Sequence, residues 1–112
     1  SYFLKESAVE RPSLTPTFGD AMWVDAWPTA KDKPARNLYE GDGVAGGIGR
    51  YCIARHGAGP ANTAPRKLAA GDPLPGGVNL VFMDGHAEFA RLERLWSFSW
   101  HKGYEAPAKR PQ

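Results

Sequence analysis

Residues 78–91 read Val-Asn-Leu-Val-Phe-Met-Asp-Gly-His-Ala-Glu-Phe-Ala-Arg, two largely apolar runs on either side of the pair Asp84-Gly85. An Asp-Gly pair between apolar runs favours a two-residue type I′ turn, in which both central residues have positive φ. We therefore predict a β-hairpin with strands over residues 78–83 and 86–91.

A two-residue turn also sets the register of this hairpin. It pairs Met83 with His86, Phe82 with Ala87, Val81 with Glu88 and Leu80 with Phe89. Side chains alternate along a strand, so the core face is predicted to carry Leu80, Phe82, Ala87 and Phe89. The other face is predicted to carry both polar and apolar side chains and to be partly exposed to solvent.

Two further extended segments precede the hairpin in the chain. Residues 50–55 contain the apolar run Tyr51-Cys52-Ile53-Ala54 and are predicted as a strand, with Cys52 as a small buried hydrophobe. Residues 15–24 are predicted to be extended, with Phe18, Met22 and Trp23 as apolar anchors.

The C-terminal part carries a helical pattern and an aromatic ending. Leu92, Leu95 and Trp96 have the i, i+3, i+4 spacing of one or two helical turns. Residues 100–104 are aromatic and are expected to dock on the body, whereas residues 107–112 are expected to fray.

Long loops fill most of the remaining chain, because 13 Gly and 10 Pro among 112 residues interrupt regular structure. Residues 29–49 and 58–77 have neither strand nor helix periodicity and are predicted as loops. The length suits one domain, residues 1–112. The predicted fold is α+β with β dominant, a small antiparallel sheet with long loops.

Composition and charge argue against two classes of function. The 14 basic and 12 acidic residues give a net charge of +2 and are interspersed, so we predict no nucleic-acid partner. No stretch approaches the ~18 apolar residues of a membrane span, so the domain itself is not expected to be embedded in a membrane.

The motifs around the hairpin resemble a known family. Residues 76–88, preceded by Arg55-His56-Gly57, resemble the C-terminal signature of prepilin-type proteins named for an H-X9-DG motif, also described as DUF1559-like pseudopilins. Residues 12–20, 23–28 and 95–102 look like further segments of that family. The residues that carry the motif here are His56, Gly57, Asn79, Asp84, Gly85 and His86.

The resemblance implies a structural subunit of a type IV pilin-like or type II secretion pseudopilus, without chemistry and not an enzyme. Its location would be periplasmic or extracellular, and its partners would be other pilin-like subunits, joined through an N-terminal helix that first anchors the precursor in the inner membrane. This chain begins at Ser1 without that helix, which fits a pilin-like globular head that is part of a longer protein. The sheet face of Leu80, Phe82 and Phe89 is then expected to be covered by residues near Phe3 and Leu4 or by a neighbouring molecule.

One departure from the family concerns spacing. Between His56 and Asp84 lie 27 residues where the family motif has nine, so residues 58–77 read as an insertion. The hairpin is expected to survive this insertion, whereas a direct contact between His56 and Asp84 is less secure.

The alternative function is an extracellular module that binds carbohydrate or metal. Imidazole and carboxylate groups are ligands for zinc and similar ions, so His56, Asp84 and His86 form a possible metal site. Calcium is a second possible ion, near residues 40–42 with Asp20, Asp25 and Asp32. The structural roles of these residues, in turns and strands, are the favoured interpretation, and no cofactor is expected.

The hypothesis that the module binds carbohydrate rests on its tryptophans. An exposed platform for stacking on sugar rings would consist of Trp23, Trp27, Trp96 and Trp100. The competing interpretation places the same rings in a small core with few aliphatic side chains. No GxSxG elbow, HExxH motif or P-loop accompanies these residues, so catalysis is not predicted.

Overall fold

A three-stranded antiparallel sheet with strand order β1-β2-β3 forms the centre of the fold. The computed structural model describes residues 11–21, 27–41, 47–101 and 103–112. The strands are β1, Pro16–Gly19, β2, Gly77–Phe82, and β3, Ala87–Arg91. The described part of the chain adds short 3-10 helices at Pro12–Leu14, Ile48–Tyr51, Ala61–Thr63 and Leu92–Ser97. The predicted small antiparallel sheet with long loops is confirmed.

The turn of the hairpin differs from the prediction. Phe82 N–H donates to the His86 carbonyl, and Gly85 N–H donates to the Phe82 carbonyl, both at 2.9 Å. Gly85 has φ +90, and no described non-glycine residue, Asp84 included, has positive φ. The loop therefore has three residues, Met83, Asp84 and Gly85, with the glycine taking the left-handed position, and the predicted two-residue type I′ turn is wrong.

This longer turn shifts the register by one residue. The observed pairs are Val81 with Ala87, Leu80 with Glu88, Asn79 with Phe89 and Val78 with Ala90. A shift of one residue moves every side chain of β3 to the other face. Phe89 is consequently 40% exposed and Ala90 fully buried, so the predicted core face is right for Leu80 and Phe82 and wrong for Ala87 and Phe89.

Glycines explain why Phe89 lies outside the core. A Cβ at Gly57 or at Gly77 would lie 2.8 Å from the tip of the Phe89 ring. The ring therefore covers two positions that have no side chain. On the inner face, the small Ala90 stands opposite Val78, where there is little room for a larger side chain.

The predicted strand over residues 50–55 is not a strand. Ile48–Tyr51 is a 3-10 helix, and Cys52, Ile53 and Ala54 follow it as three consecutive buried residues. Their apolar character reflects burial on all sides, because a strand at the surface of a core would alternate. The prediction that Cys52 is a small buried residue is confirmed.

β1 replaces that segment as the third strand, inside the stretch predicted to be extended. It pairs antiparallel with β2, with a bulge between Pro16 and Phe18. Phe18 is 74% exposed, so its predicted role as an apolar anchor is wrong. The other predicted anchors, Met22 and Trp23, lie outside the described residues, as do Phe3 and Leu4.

The inner face of the sheet is covered by the C-terminal segment and by the loops. Leu92, Leu95 and Trp96 lie in the Leu92–Ser97 helix and are buried, which confirms the helical turns expected from their spacing. The buried set also includes residues of the two segments that were predicted as loops: Ala35, Leu38, Ile48, Ala64 and Leu74. Both predicted loops therefore contribute to the core.

The C-terminal residues lie against the body. Trp100 is buried, and the Tyr104 hydroxyl donates to the Trp96 carbonyl at 2.7 Å, as the predicted docking requires. Burial, helped by the charge of Asp32, raises the pKa of Tyr104 to about 12. The Arg110 guanidinium contacts Glu93 and donates to the Asp72 carbonyl, so the end of the chain is held where a frayed tail was predicted.

Candidate functional site

Two clusters of histidine and carboxylate lie at opposite ends of β2. The edge cluster, Asp20, His56 and Asn79, lies where β2 begins. The tip cluster, Asp84, His86, Glu88 and Arg94, lies at the hairpin turn and the helix that follows β3. Between them they contain most of the residues that carry the sequence motif.

In the edge cluster a single carboxylate oxygen joins two segments. Asp20 Oδ2 accepts a hydrogen bond from the Asn79 backbone N–H at 2.9 Å and lies 3.1 Å from His56 Nε2. Asp20 N–H donates to the Asn79 carbonyl at 3.2 Å. Asp20 therefore continues the β1–β2 pairing beyond Gly19 and holds the His56 ring against it.

The backbone of His56 attaches the long middle segment to the sheet. His56 and Gly77 exchange two hydrogen bonds, 3.1 Å from His56 N–H and 2.9 Å from Gly77 N–H, as an isolated antiparallel bridge. Gly57 follows with φ +76, which turns the chain away beneath Phe89. Arg55-His56-Gly57 thus joins the sheet at the start of β2.

A shallow groove of about 550 Å³ adjoins the edge cluster. Asp20 and His56 line it together with Gly19, Ala21, Ile53, Arg55 and Ala61. A paired Asp and His can exchange protons, but hydrolysis through a covalent intermediate also needs a side-chain nucleophile. These lining residues include no Ser, Thr, Cys or Lys.

In the tip cluster the imidazole of His86 lies between two carboxylates. Nδ1 contacts Asp84 Oδ1, and Nε2 lies 3.3 Å from Glu88 Oε1. Arg94 Nη1 donates to Glu88 Oε2 at 3.0 Å. The turn, β3 and the Leu92–Ser97 helix are thereby connected through four side chains.

The charges of this cluster shift two pKa values in opposite directions. Hydrogen bonds from the backbone and side chain of His86 lower the pKa of Asp84 below its ordinary value. Hydrogen bonds to Asp84 and then to Glu88 raise the pKa of His86. Both groups are partly exposed, so these effects are surface interactions screened by water.

The structure does not bring the proposed zinc ligands together. His56 lies at the start of β2 and Asp84 beyond its end, and six strand residues at ~3.3 Å each span roughly 20 Å. Asp84 and Glu88 face opposite nitrogens of His86, so one ion cannot contact all three groups. Within residues 11–21, 27–41, 47–101 and 103–112, no group of three potential ligands is arranged to hold a metal ion.

The calcium hypothesis falls partly outside the described residues, because Asp25 and Asp42 do. Asp32 accepts hydrogen bonds from the Thr29 and Ile48 backbone N–H groups at 2.8 and 2.9 Å and from the Thr29 hydroxyl. Asp20 is likewise engaged at the edge cluster. These two carboxylates therefore have local structural partners.

The tryptophan platform is not assembled as predicted. Trp96 and Trp100 are 2% and 7% exposed and donate their indole N–H groups to the carbonyls of Asp32 and Leu95. A sugar ring cannot stack on rings that lie in the core. Trp27 is exposed, and Trp23 lies outside the described residues.

The sequence does not indicate the roles of Asp20 and Arg94 at these clusters. It indicates Asp20 only as a possible calcium ligand and as part of the segment 12–20, and no motif includes Arg94. The signal for Asp20 lies in the segment of residues 12–20, whose motif ends on this aspartate, but its partners are 36 and 59 residues away in the chain. Arg94 follows Glu88 by six residues, a separation that no single helix or strand would bring into contact.

No described helix is long and apolar enough to cross a membrane. Comparisons of the chain with protein-family models, with curated proteins and with solved structures each find no match. The relationship to the H-X9-DG family therefore stays a hypothesis that rests on the motifs.

Proposed function

We propose that this chain is the globular head of a pilin-like structural protein, a subunit or minor component of a type IV pilin-like or type II secretion pseudopilus. In this role it binds other subunits and carries out no chemical reaction. It would act outside the inner membrane, in the periplasm or beyond.

The proposal rests on the contacts that the motif residues make within the sheet. His56 and Asn79 bind Asp20, Gly57 makes room for Phe89, and Asp84 and Gly85 form the hairpin turn. Each of these contacts organises the sheet. Motif residues with purely structural contacts suit a protein whose function is to present a stable surface.

The completion of the described core limits which surfaces could contact other subunits. The inner sheet face is closed by the C-terminal segment and loops, with Leu80 and Leu95 fully buried. The resemblance implied instead that residues near Phe3 and Leu4 or a neighbouring molecule would cover this face, and Phe3 and Leu4 lie outside the described residues. In a filament, subunit contacts would therefore be made by other surfaces and by a separate N-terminal helix.

The test is the processing of the complete gene product. The gene should encode, upstream of Ser1, a basic leader, a small-residue cleavage site and an apolar helix with Glu at the fifth mature position. Co-expression with a prepilin peptidase should then shorten the precursor by the mass of the leader and allow its recovery with other pseudopilins. A variant with a blocked cleavage site is the matched control.

An ordinary secretory signal peptide or a catalytic domain in that upstream sequence would overturn the proposal. Failure of the peptidase to cleave a precursor that contains an intact leader would do the same.

A further inference from the structure

The imidazole of His86 has charged groups on two sides. Each ring nitrogen faces a carboxylate oxygen, Asp84 at Nδ1 and Glu88 at Nε2. The ring also stacks on Phe82, with centroids 4.5 Å apart and planes 4° from parallel. The partly exposed imidazole therefore contacts two anionic groups and one aromatic face.

This geometry suits only the doubly protonated ring. A neutral imidazole has one N–H and one lone pair, so one of the two carboxylates would face a lone pair. An imidazolium donates from both nitrogens, and its charge is attracted to both carboxylates and to the face of Phe82. Deprotonation turns one attractive contact into a repulsive one.

The cluster connects the hairpin turn to the segments packed around it. Glu88 also binds Arg94 on the Leu92–Ser97 helix, and the Arg94 guanidinium lies 4.9 Å from the centre of the Phe98 ring. Asp84 N–H donates to the Pro12 carbonyl, which brings in the Pro12–Leu14 helix and its preceding Arg11. The charged groups around His86 are thus Asp84 and Glu88 in contact, Arg94 behind Glu88, and Arg11 beyond the turn.

We propose that His86 is a proton-controlled clamp of the hairpin, which in its charged form holds Asp84 in the turn and Glu88 on β3 together and loosens this contact when it loses its proton. This is a pH response of the head domain, separate from any assembly role. The head would be held most tightly in mildly acidic surroundings and would loosen at its tip in alkaline ones.

The direction of the response follows from the two shifted groups. The raised pKa of His86 gives a stabilisation that is present below the ordinary value of 6.5 and lost as pH rises through the folded-state pKa. The lowered pKa of Asp84 gives one that is present above 3.8 and lost as pH falls. Both contributions are complete between these two ordinary values.

The first experiment is an NMR titration of the histidine rings in the 112-residue chain, folded and in urea. His86 should titrate at higher pH in the folded chain than in the unfolded chain, and its two ring nitrogens should both be protonated at the acidic end of that transition. A folded-state pKa at or below the unfolded one would overturn the proposal.

Three substitutions separate the clamp from a general charge effect. Asp84→Asn and Glu88→Gln should each lower the pKa of His86, the first more, because Asp84 makes the larger contribution. Arg94→Gln should raise it, because a cation that shares Glu88 has been removed. Glu93→Gln is the matched control, since Glu93 binds Arg110 and should leave His86 unchanged.

The second readout is stability. The urea midpoint of the parent chain should fall as pH rises from about 6 to about 8.5, and in Glu88→Gln that fall should be smaller. An equal fall in the parent and in Glu88→Gln, or an equal change of the His86 pKa in Glu88→Gln and Glu93→Gln, would contradict the clamp.

Discussion

The two ends of β2 contain the same pair of residue types, a histidine beside an aspartate, in different settings. At the edge cluster Asp20 binds backbone and side chain together, and the surrounding backbone is tightly packed around Gly76 and Gly77. At the tip cluster Asp84 accepts from the backbone N–H of His86 and contacts its ring, Glu88 contacts the same ring and Arg94, and no atom lies within 4 Å of a Cβ placed at Gly85. Backbone packing dominates at the first end, whereas charged side chains surround the histidine ring at the second.

This difference shows that the role of a motif residue depends on the groups that it contacts in the folded chain. His56 and His86 both lie beside a carboxylate, yet His56 exchanges two backbone hydrogen bonds with Gly77 and fastens a distant segment. The His86 ring instead sits among charged side chains close in sequence. Substitutions at the edge cluster should therefore lower the free energy of unfolding. Substitutions at the tip cluster should instead change how that free energy depends on pH.

The largest effect is expected for Gly77→Ala at the edge. The new Cβ would lie 2.1 Å from the Ala90 carbonyl oxygen, which belongs to the neighbouring strand and cannot move without disturbing β2–β3 pairing. We expect a loss of roughly 3 kcal/mol of unfolding free energy, as for severe overpacking. Urea denaturation followed by the fluorescence of the buried Trp96 and Trp100 measures it. A loss below that of Gly85→Ala would refute the tight packing of this end.

A medium effect is expected for Asp20→Ala. The substitution leaves the Asn79 N–H and the His56 ring without their shared acceptor. A loss of about 1.5 kcal/mol follows from a hydrogen bond to a charged group. Asp20→Asn, which keeps an acceptor oxygen, should lose less, and amide exchange at Asn79 should increase in the alanine variant. Unchanged exchange at Asn79 would show that Asp20 does not hold this end of the sheet.

The smallest effect is expected for Gly85→Ala at the tip. There is space for the methyl group, so the cost is only that of holding alanine at φ +90, about 1 kcal/mol. Gly85→Asn should cost less, because asparagine tolerates the left-handed region better. The same urea series measures both variants. Equal losses for alanine and asparagine would argue that Gly85 does not adopt this conformation.

Sequence reasoning located the hairpin and the main inner residues of β2, because alternating apolar residues around Asp84-Gly85 are a local signal. It missed the length of the turn. Asp-Gly occurs both in two-residue turns and in three-residue turns with the glycine in the left-handed position. The alternation of β3 does not decide between them, since Ala87 and Phe89 are apolar but so is Ala90 on the other face.

The strand expected at residues 50–55 failed for a different reason. Cys52, Ile53 and Ala54 are buried in succession, with Ala54 N–H donating to the Leu38 carbonyl of another loop at 2.9 Å. A short apolar run indicates burial, but it does not indicate which backbone partner will satisfy its polar groups. At the candidate site, likewise, the sequence indicates the motif residues but not the contacts that Asp20 and Arg94 make with their side chains and backbone.

By itself, the sequence determined that this is one small β-dominant domain, that a hairpin is centred on Asp84-Gly85, and that Leu92, Leu95 and Trp96 form helical turns. These features follow from local periodicity and turn chemistry. Only the tertiary structure decided the register, the identity of the third strand and the partners of His56 and His86. Those depend on contacts between segments far apart in the chain, where the packing of Phe89 over glycine and of Ala90 into the core selects one arrangement among several that are locally equivalent.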